Sequence, residues 1–248
     1  MKQKTKNPAA FRMVSPETAN KHRVFATLLN ALSIYIPDFT YIDLNAGPGL
    51  YPAGCAGKDK PPRDLWCASL GVLKLKNSRT GRYLLIDQDK VCISHLTKHV
   101  AKFTTSKQDI RIIQDSNAAY YKNTLRCINK EFGNRSGLIL ADPMPGGKEE
   151  FPLLVKMSKN KHLKKLDIFV HFMVNSGARS WARFNRMTAD QVTYKIERNY
   201  KLITIKAGIH GHCFMFCTND AQHANAIENL RIASPWRKFR SWSKFYSI

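Results

Sequence analysis

The sequence predicts an α/β fold: a doubly wound, mostly parallel sheet of seven strands that ends in an antiparallel hairpin. Three observations predict it. Short apolar strands alternate with helical segments five times between residues 41 and 172, the pattern of a parallel sheet with helices on both faces. Four of those five strands carry an acid within or at the end: Asp43, Asp87, Asp115 and Asp142. Two further strands, Lys201–Lys206 and His212–Thr218, are separated only by Ala207-Gly208-Ile209-His210-Gly211, a link short enough for a hairpin.

The elements follow in order. Ser15-Pro16 reads as an N-cap followed by proline in the first helical position, and Phe25, Leu28, Leu29, Leu32 and Ile36 form the apolar stripe of the helix that follows. Pro37 ends it. Tyr41–Leu44 is the first strand, and it runs into Asn45-Ala46-Gly47-Pro48-Gly49. A glycine-rich turn at the carboxyl end of a buried strand leaves backbone N–H groups facing outward, where small polar or anionic cofactors bind. Asp43 lies inside an otherwise apolar strand, so its carboxylate must accept hydrogen bonds, either to orient the turn or to hold a ligand.

Residues 50–62 hold three prolines and read as a loop beside that turn. Arg63–Leu75 is predicted helical. Arg82–Asp87, Ile110–Asp115, Gly137–Asp142 and Asp167–Phe172 are the next strands. They are interleaved with helices over Lys90–Phe103, Asn117–Phe132 and Glu149–His162. Helices over Thr188–Asn199 and Asp220–Arg231 bracket the hairpin. In a parallel sheet the strand-end acids share one rim, so Asp43, Asp87, Asp115 and Asp142 are expected to gather in a common cofactor pocket. The chain divides into a basic flexible N-terminus (1–15), one domain (16–232) and a basic, aromatic C-terminal tail (233–248).

Forty Lys and Arg against 18 Asp and Glu give a formal net charge of +22 in 248 residues. That excess points to a polyanionic partner, nucleic acid, bound by phosphate neutralisation. No signal peptide, spanning apolar run or basic amphipathic segment is present, which speaks against a membrane and for a cytoplasmic protein. The six cysteines are scattered and read as reduced thiols. In His210–Cys217, strand alternation puts Cys213, Met215 and Cys217 on one face and His212, Phe214 and Phe216 on the other, so no metal is expected.

The order of these features resembles the Rossmann-like S-adenosylmethionine-dependent methyltransferases: a glycine-rich first turn, acids after the second and third strands, Asp-Pro after the fourth, and a late hairpin. Ile42-Asp43-Leu44-Asn45-Ala46-Gly47-Pro48-Gly49 is similar, more narrowly, to the first motif of the three-Cys-motif partner family of bacterial and phage methyltransferase-like proteins, with Asn45 where that family usually has an aromatic residue. The resemblance implies that Asp43, Asn45, Gly47 and Gly49 belong to the S-adenosylmethionine site, with the last three at its methionine end. It also implies that Asp87 takes the ribose hydroxyls, that Asp115 and Ser116 lie near the adenine, and that Lys21 and His22 lie near the cofactor carboxylate. The 44 positions from Asp43 to Asp87 exceed the roughly 20 of a simple βαβ unit, and the 50–62 loop accounts for the excess.

In Asp142-Pro143-Met144-Pro145, the resemblance implies that Asp142 and the Pro143 carbonyl are catalytic, accepting hydrogen bonds from a target base amine. Met144 and Pro145 depart from the Pro-Pro-aromatic pattern of amino-methylating enzymes, so a catalytically inactive, methyltransferase-like nucleic-acid-binding protein stays open beside a nucleic-acid methyltransferase. No cysteine follows a proline, which excludes a Pro-Cys nucleophile. Two clusters suit phosphate pairing and base stacking: Arg179, Arg183 and Arg186 around Trp181, and Trp236, Arg237, Lys238 and Arg240 in the tail. Five lysines between Lys156 and Lys165 read as a solvated helix face.

Overall fold

The computed structural model describes residues 16–36, 38–51, 65–73, 81–105, 108–115, 118–142, 150–173, 194–209, 212–232 and 240–241. Helix α1 (Pro16–Tyr35) leads into strand β1 (Thr40–Asp43). A small ribbon of β2 (Leu50–Tyr51) and β3 (Leu65–Trp66) precedes α2 (Ala68–Leu73). Then come β4 (Arg82–Asp87), α3 (Lys90–Phe103), β5 (Asp109–Gln114), α4 (Ala118–Phe132), β6 (Gly137–Ala141) and α5 (Glu150–Lys159). A 3₁₀ turn over Lys161–Leu163 follows. The chain finishes with β7 (Leu166–Met173), β8 (Leu202–Ile209), β9 (His212–Thr218), α6 (Ala221–Ile232) and β10 (Arg240–Ser241).

The main sheet has the order β10-β8-β9-β7-β6-β1-β4-β5. Strands β5, β4, β1, β6 and β7 pair in parallel. Strand β9 runs antiparallel between β7 and β8, which leaves β8 parallel to the rest. The sheet is therefore doubly wound and mostly parallel with a C-terminal hairpin, as expected. It has eight strands rather than seven, because Arg240 and Ser241 pair with Gly208 and Ala207 of β8. A two-residue strand in a basic, aromatic segment carries no periodicity by which sequence could reveal it.

Strand alternation sorts the core into two layers. Tyr41, Tyr83, Leu85, Leu138, Leu140, Phe169, Phe214 and Phe216 face α1, α2, α3 and α6. Ile42, Leu84, Ile86, Ile139, Ala141, Ile168, Val170, Met215 and Cys217 face α4 and α5. The expected split of His210–Cys217 is thus realised for Phe214 and Phe216 against Met215 and Cys217, and no group of metal-ligating side chains occurs among the described residues.

Helix α3 has the expected bounds, started by Asp89, whose side chain accepts from the N–H groups of Val91 and Cys92. The helix expected over Arg63–Leu75 is shorter. Leu65 and Trp66 instead pair antiparallel with Tyr51 and Leu50, and the Cys67 N–H donates to the Gly49 carbonyl. This pairing ties Leu65 and Trp66 back to the glycine turn, and it outcompetes the helical periodicity of the same residues. Helix α5 gives way at Asn160, whose side chain caps the 3₁₀ turn. The part of the Thr188–Asn199 helix that is described is a turn over 194–197. Of the five lysines, Lys156, Lys159, Lys161 and Lys165 are exposed, while Lys164 donates to the carbonyls of Ser158 and Asn199.

Candidate active site at the carboxyl rim

The carboxyl ends of β1, β4 and β6 converge on the glycine turn. Gly47 and Gly49 have φ of 65° and 83°, conformations that residues with a Cβ adopt only with strain. A Cβ on Gly49 would also approach Leu70 Cδ1 to 3.1 Å. The turn is clipped on both sides. The Gly47 N–H donates to Asp87 Oδ2 at 2.8 Å, and the Asp142 N–H donates to Asn45 Oδ1 at 3.0 Å.

Asp43 is fully enclosed and supports the turn from behind. Its carboxylate accepts from the Tyr41 hydroxyl (2.7 Å), the Ser69 hydroxyl (2.8 Å) and the Asn45 N–H (3.1 Å). Burial pushes its pKa up to about 6 against the pull of those donors. Of the two roles open to it in the sequence, the geometry shows the orienting one. Asp87 is half-buried and also accepts the Asp89 N–H at 2.8 Å; burial raises its pKa. The Asp115 N–H donates to the Asp87 carbonyl, which places Asp115 at the same rim.

Asp142 has a different environment. Lys21 Nζ lies 2.5 Å from Oδ2 and His171 Nδ1 lies 2.6 Å from Oδ1. Burial pushes the Asp142 carboxyl up, but Lys21 and His171 outweigh it and hold it well below the ordinary carboxylate range. Burial lowers the pKa of His171 against the pull of the Asp142 carboxylate. An ionised carboxylate only accepts, so the ring nitrogen that faces it, Nδ1, carries the hydrogen. Phe25 and Phe214 pack around the His171 ring, with centroids at 6.3 and 5.0 Å. His22 completes the group: it packs against Phe25 and Tyr51, and its two ring nitrogens have no hydrogen-bond partner among the described residues. Burial and the neighbouring Lys21 hold its pKa down to about 3.

The structure therefore brings together Asp43, Asn45, Gly47, Gly49, Asp87, Asp115 and Asp142, with Lys21 and His22 beside them. Pro143, Ser116, Arg179, Arg183, Arg186, Trp236, Arg237 and Lys238 lie outside the described residues, and Arg240 enters only through its backbone in β10. Sequence reasoning missed His171, although one signal pointed to it: it shares strand parity with the apolar Phe169. The β6–β7 register of Leu140 to Phe169 and Ala141 to Val170 then carries forward to Asp142 beside His171. Lys21, which the resemblance had already set beside the expected cofactor, lies one turn before Phe25 on the buried stripe of α1.

No family model and no curated protein matches the chain. Among solved structures, LPL1258 from Legionella pneumophila is 13% identical, with 89% of this chain and 93% of that one covered and a TM-score of 0.59. Monomeric WbdD is 11% identical at a TM-score of 0.53, with 81% of this chain aligned to 41% of that longer one. A precorrin-6y C5,15-methyltransferase from Geobacter metallireducens is 11% identical over 78% of this chain and 86% of that one, at a TM-score of 0.44, a likeness too loose to argue from. What this chain shares with LPL1258 and WbdD is the fold: a doubly wound α/β sheet of the same architecture.

Proposed function

We propose that this chain is an S-adenosylmethionine-dependent methyltransferase acting on nucleic acid, with a base amino group as acceptor. The observation that carries the reading is the double clip on the glycine turn. One element of backbone is joined to Asp87 on one side and to Asp142 on the other, so a cofactor-type turn and an acceptor-type acid share a single rim. The reversed β9 supports it, because the usual dinucleotide-binding order has six parallel strands. The net charge of +22 supports a polyanionic substrate.

The residues present fit that cofactor. Asp87 offers a half-buried carboxylate suited to ribose hydroxyls, with Asp115 and Ser116 toward the adenine. Asn45, Gly47 and Gly49 form the turn toward the methionine end, and the orphaned nitrogens of His22 offer a neutral donor and acceptor in a buried position. S-adenosylmethionine would supply an electrophilic methyl group on a sulfonium. Asp142, held ionised, would accept an N–H of the target amine and leave the nitrogen lone pair free for methylation, with the proton the amine loses passing to solvent. The Pro143 carbonyl takes the second N–H. Arg179, Arg183 and Arg186, with the tail residues Trp236, Arg237, Lys238 and Arg240, supply cations for phosphates and rings for stacking.

One observation favours a second reading, a catalytically silent nucleic-acid-binding protein. Both Asp142 oxygens are already engaged, by Lys21 and His171, and Met144-Pro145 replaces the usual Pro-aromatic pair. Incubation with methyl-labelled S-adenosylmethionine and separated DNA and RNA pools distinguishes the two. Label in one pool, lost in Asp142→Asn, is the expected result. Cofactor binding without label in either pool establishes the silent protein.

A further inference from the structure

The two partners of Asp142 are built differently. His171 stands on β7 with its side chain 1% exposed, caged by Phe25 and Phe214. Its ring cannot leave Oδ1 without breaking that packing. Lys21 reaches Oδ2 from α1 on a flexible four-carbon stem, its side chain 15% exposed, with the ammonium 6.0 Å from the Phe25 ring centroid. An ammonium is a compact point donor on a chain with many rotamers, and it can withdraw without disturbing the core. Oδ2 also lies on the same rim as the glycine turn, since the Asp142 backbone is tied to Asn45.

From this asymmetry we propose that His171 is the fixed positioning partner of Asp142 and that Lys21 is an exchangeable occupant of the substrate's place on it, so that an amine-bearing base enters by displacing an ammonium. The inference rests on the methyltransferase reading. Its chemistry is that of exchange on one acceptor: an N–H donor of the base takes the hydrogen-bond position on Oδ2 that Lys21 vacates, while His171 keeps the carboxylate turned and satisfied at Oδ1. An ionised carboxylate only accepts, so this position admits an exocyclic amino group and repels the exocyclic carbonyl oxygen that replaces it. Lys21 screens candidates as well, because a base that cannot donate has nothing with which to replace the ammonium, and leaving a buried charge unpaired is costly.

The test measures binding of adenosine and cytidine monophosphates, which carry an exocyclic amine, against inosine and uridine monophosphates, which carry oxygen there. The full chain is used, saturated with S-adenosylhomocysteine. Wild type is expected to prefer the amine-bearing pair. Lys21→Met removes the competitor and tightens binding of that pair roughly tenfold, the worth of about one charge-assisted hydrogen bond. Lys21→Arg keeps the charge in a fork that is harder to displace, and it weakens their binding while preserving the fold. His171→Phe keeps the aromatic packing but frees the carboxylate, and the amine preference disappears, a change that a merely structural role would not produce. Bound S-adenosylhomocysteine with no preference in wild type, or with Lys21→Met weakening all four nucleotides alike, overturns the inference and leaves the methyltransferase reading standing. Failure of the wild-type chain to bind S-adenosylhomocysteine overturns both.

Discussion

Strand β7 carries two Asp–His pairs on the same face, one at each end, and they behave in opposite ways. At the carboxyl end His171 meets Asp142 at 2.6 Å, and at the amino end Asp167 meets His223 of α6 at 2.9 Å. Both pairs are enclosed. The difference is a third charge. Beside Asp142, Lys21 supplies a positive charge that helps to hold the carboxyl well below its ordinary range, while burial presses the His171 ring down. Among the described residues no Lys or Arg pairs with Asp167. Burial raises the Asp167 carboxyl against the donors of His223 and Thr218; burial also presses the His223 ring down, but the Asp167 carboxylate outweighs this and raises it. The lesson is that an Asp–His contact alone does not mark chemistry. At the amino end it fastens α6 to the sheet, whereas at the carboxyl rim, with Lys21 added and the glycine turn tied on, it produces a fixed anion beside that turn.

The sharpest way to break this comparison is to neutralise each aspartate. Asp142→Asn is expected to lower methyl transfer by at least roughly a hundredfold, with the S-adenosylmethionine dissociation constant changed by less than about threefold. Kinetics and calorimetry on the same preparation check this, and a loss of cofactor binding instead would move Asp142 into the cofactor's own shell. Asp167→Asn should do the reverse: unfolding free energy falls by about 2–4 kcal/mol as a buried partner is lost, while transfer per folded molecule is unchanged.

The pH dependence sharpens the contrast further. The folded His22 ring stays neutral down to about 3, whereas the unfolded ring takes a proton below 6.5. Stability from this group is therefore fully present above 6.5 and is lost as pH falls, by about 2 kcal/mol at pH 5. Asp43 works in the opposite direction, since its folded carboxyl protonates near 6 against 3.8 unfolded. The His22 contribution is accordingly read as the difference between wild type and His22→Phe in denaturant titrations at pH 7 and pH 5. The smallest effect is expected behind the turn. Ser69→Ala removes one of three donors to Asp43 and should cost about 1 kcal/mol in unfolding free energy, with a modest weakening of cofactor binding.

The fold was legible because its information is local. Alternation in segments such as Arg82–Asp87 and the capped stripe of Lys90–Phe103 announce strands and helices within a dozen residues. The strand-end acids were legible for the same reason, and Asp43, Asp87 and Asp142 do meet at one rim. Their division of labour was not. Asp43 faces only neutral donors and Asp142 faces Lys21, a pairing that spans 121 positions and exists only once α1 is laid on the sheet. The β2–β3 ribbon was hidden because Leu65 and Trp66 fit a helical stripe equally well, and only the backbone of Gly49 and Leu50 decides otherwise.

Calorimetric titration of S-adenosylmethionine and S-adenosylhomocysteine into the pure protein, with NAD as control, asks whether the rim around the glycine turn holds that cofactor. Micromolar binding of both, none of NAD, and loss of binding in Gly47→Val are expected. Absence of binding by either compound would rule the cofactor out and leave the strand-end carboxylates as braces of the fold.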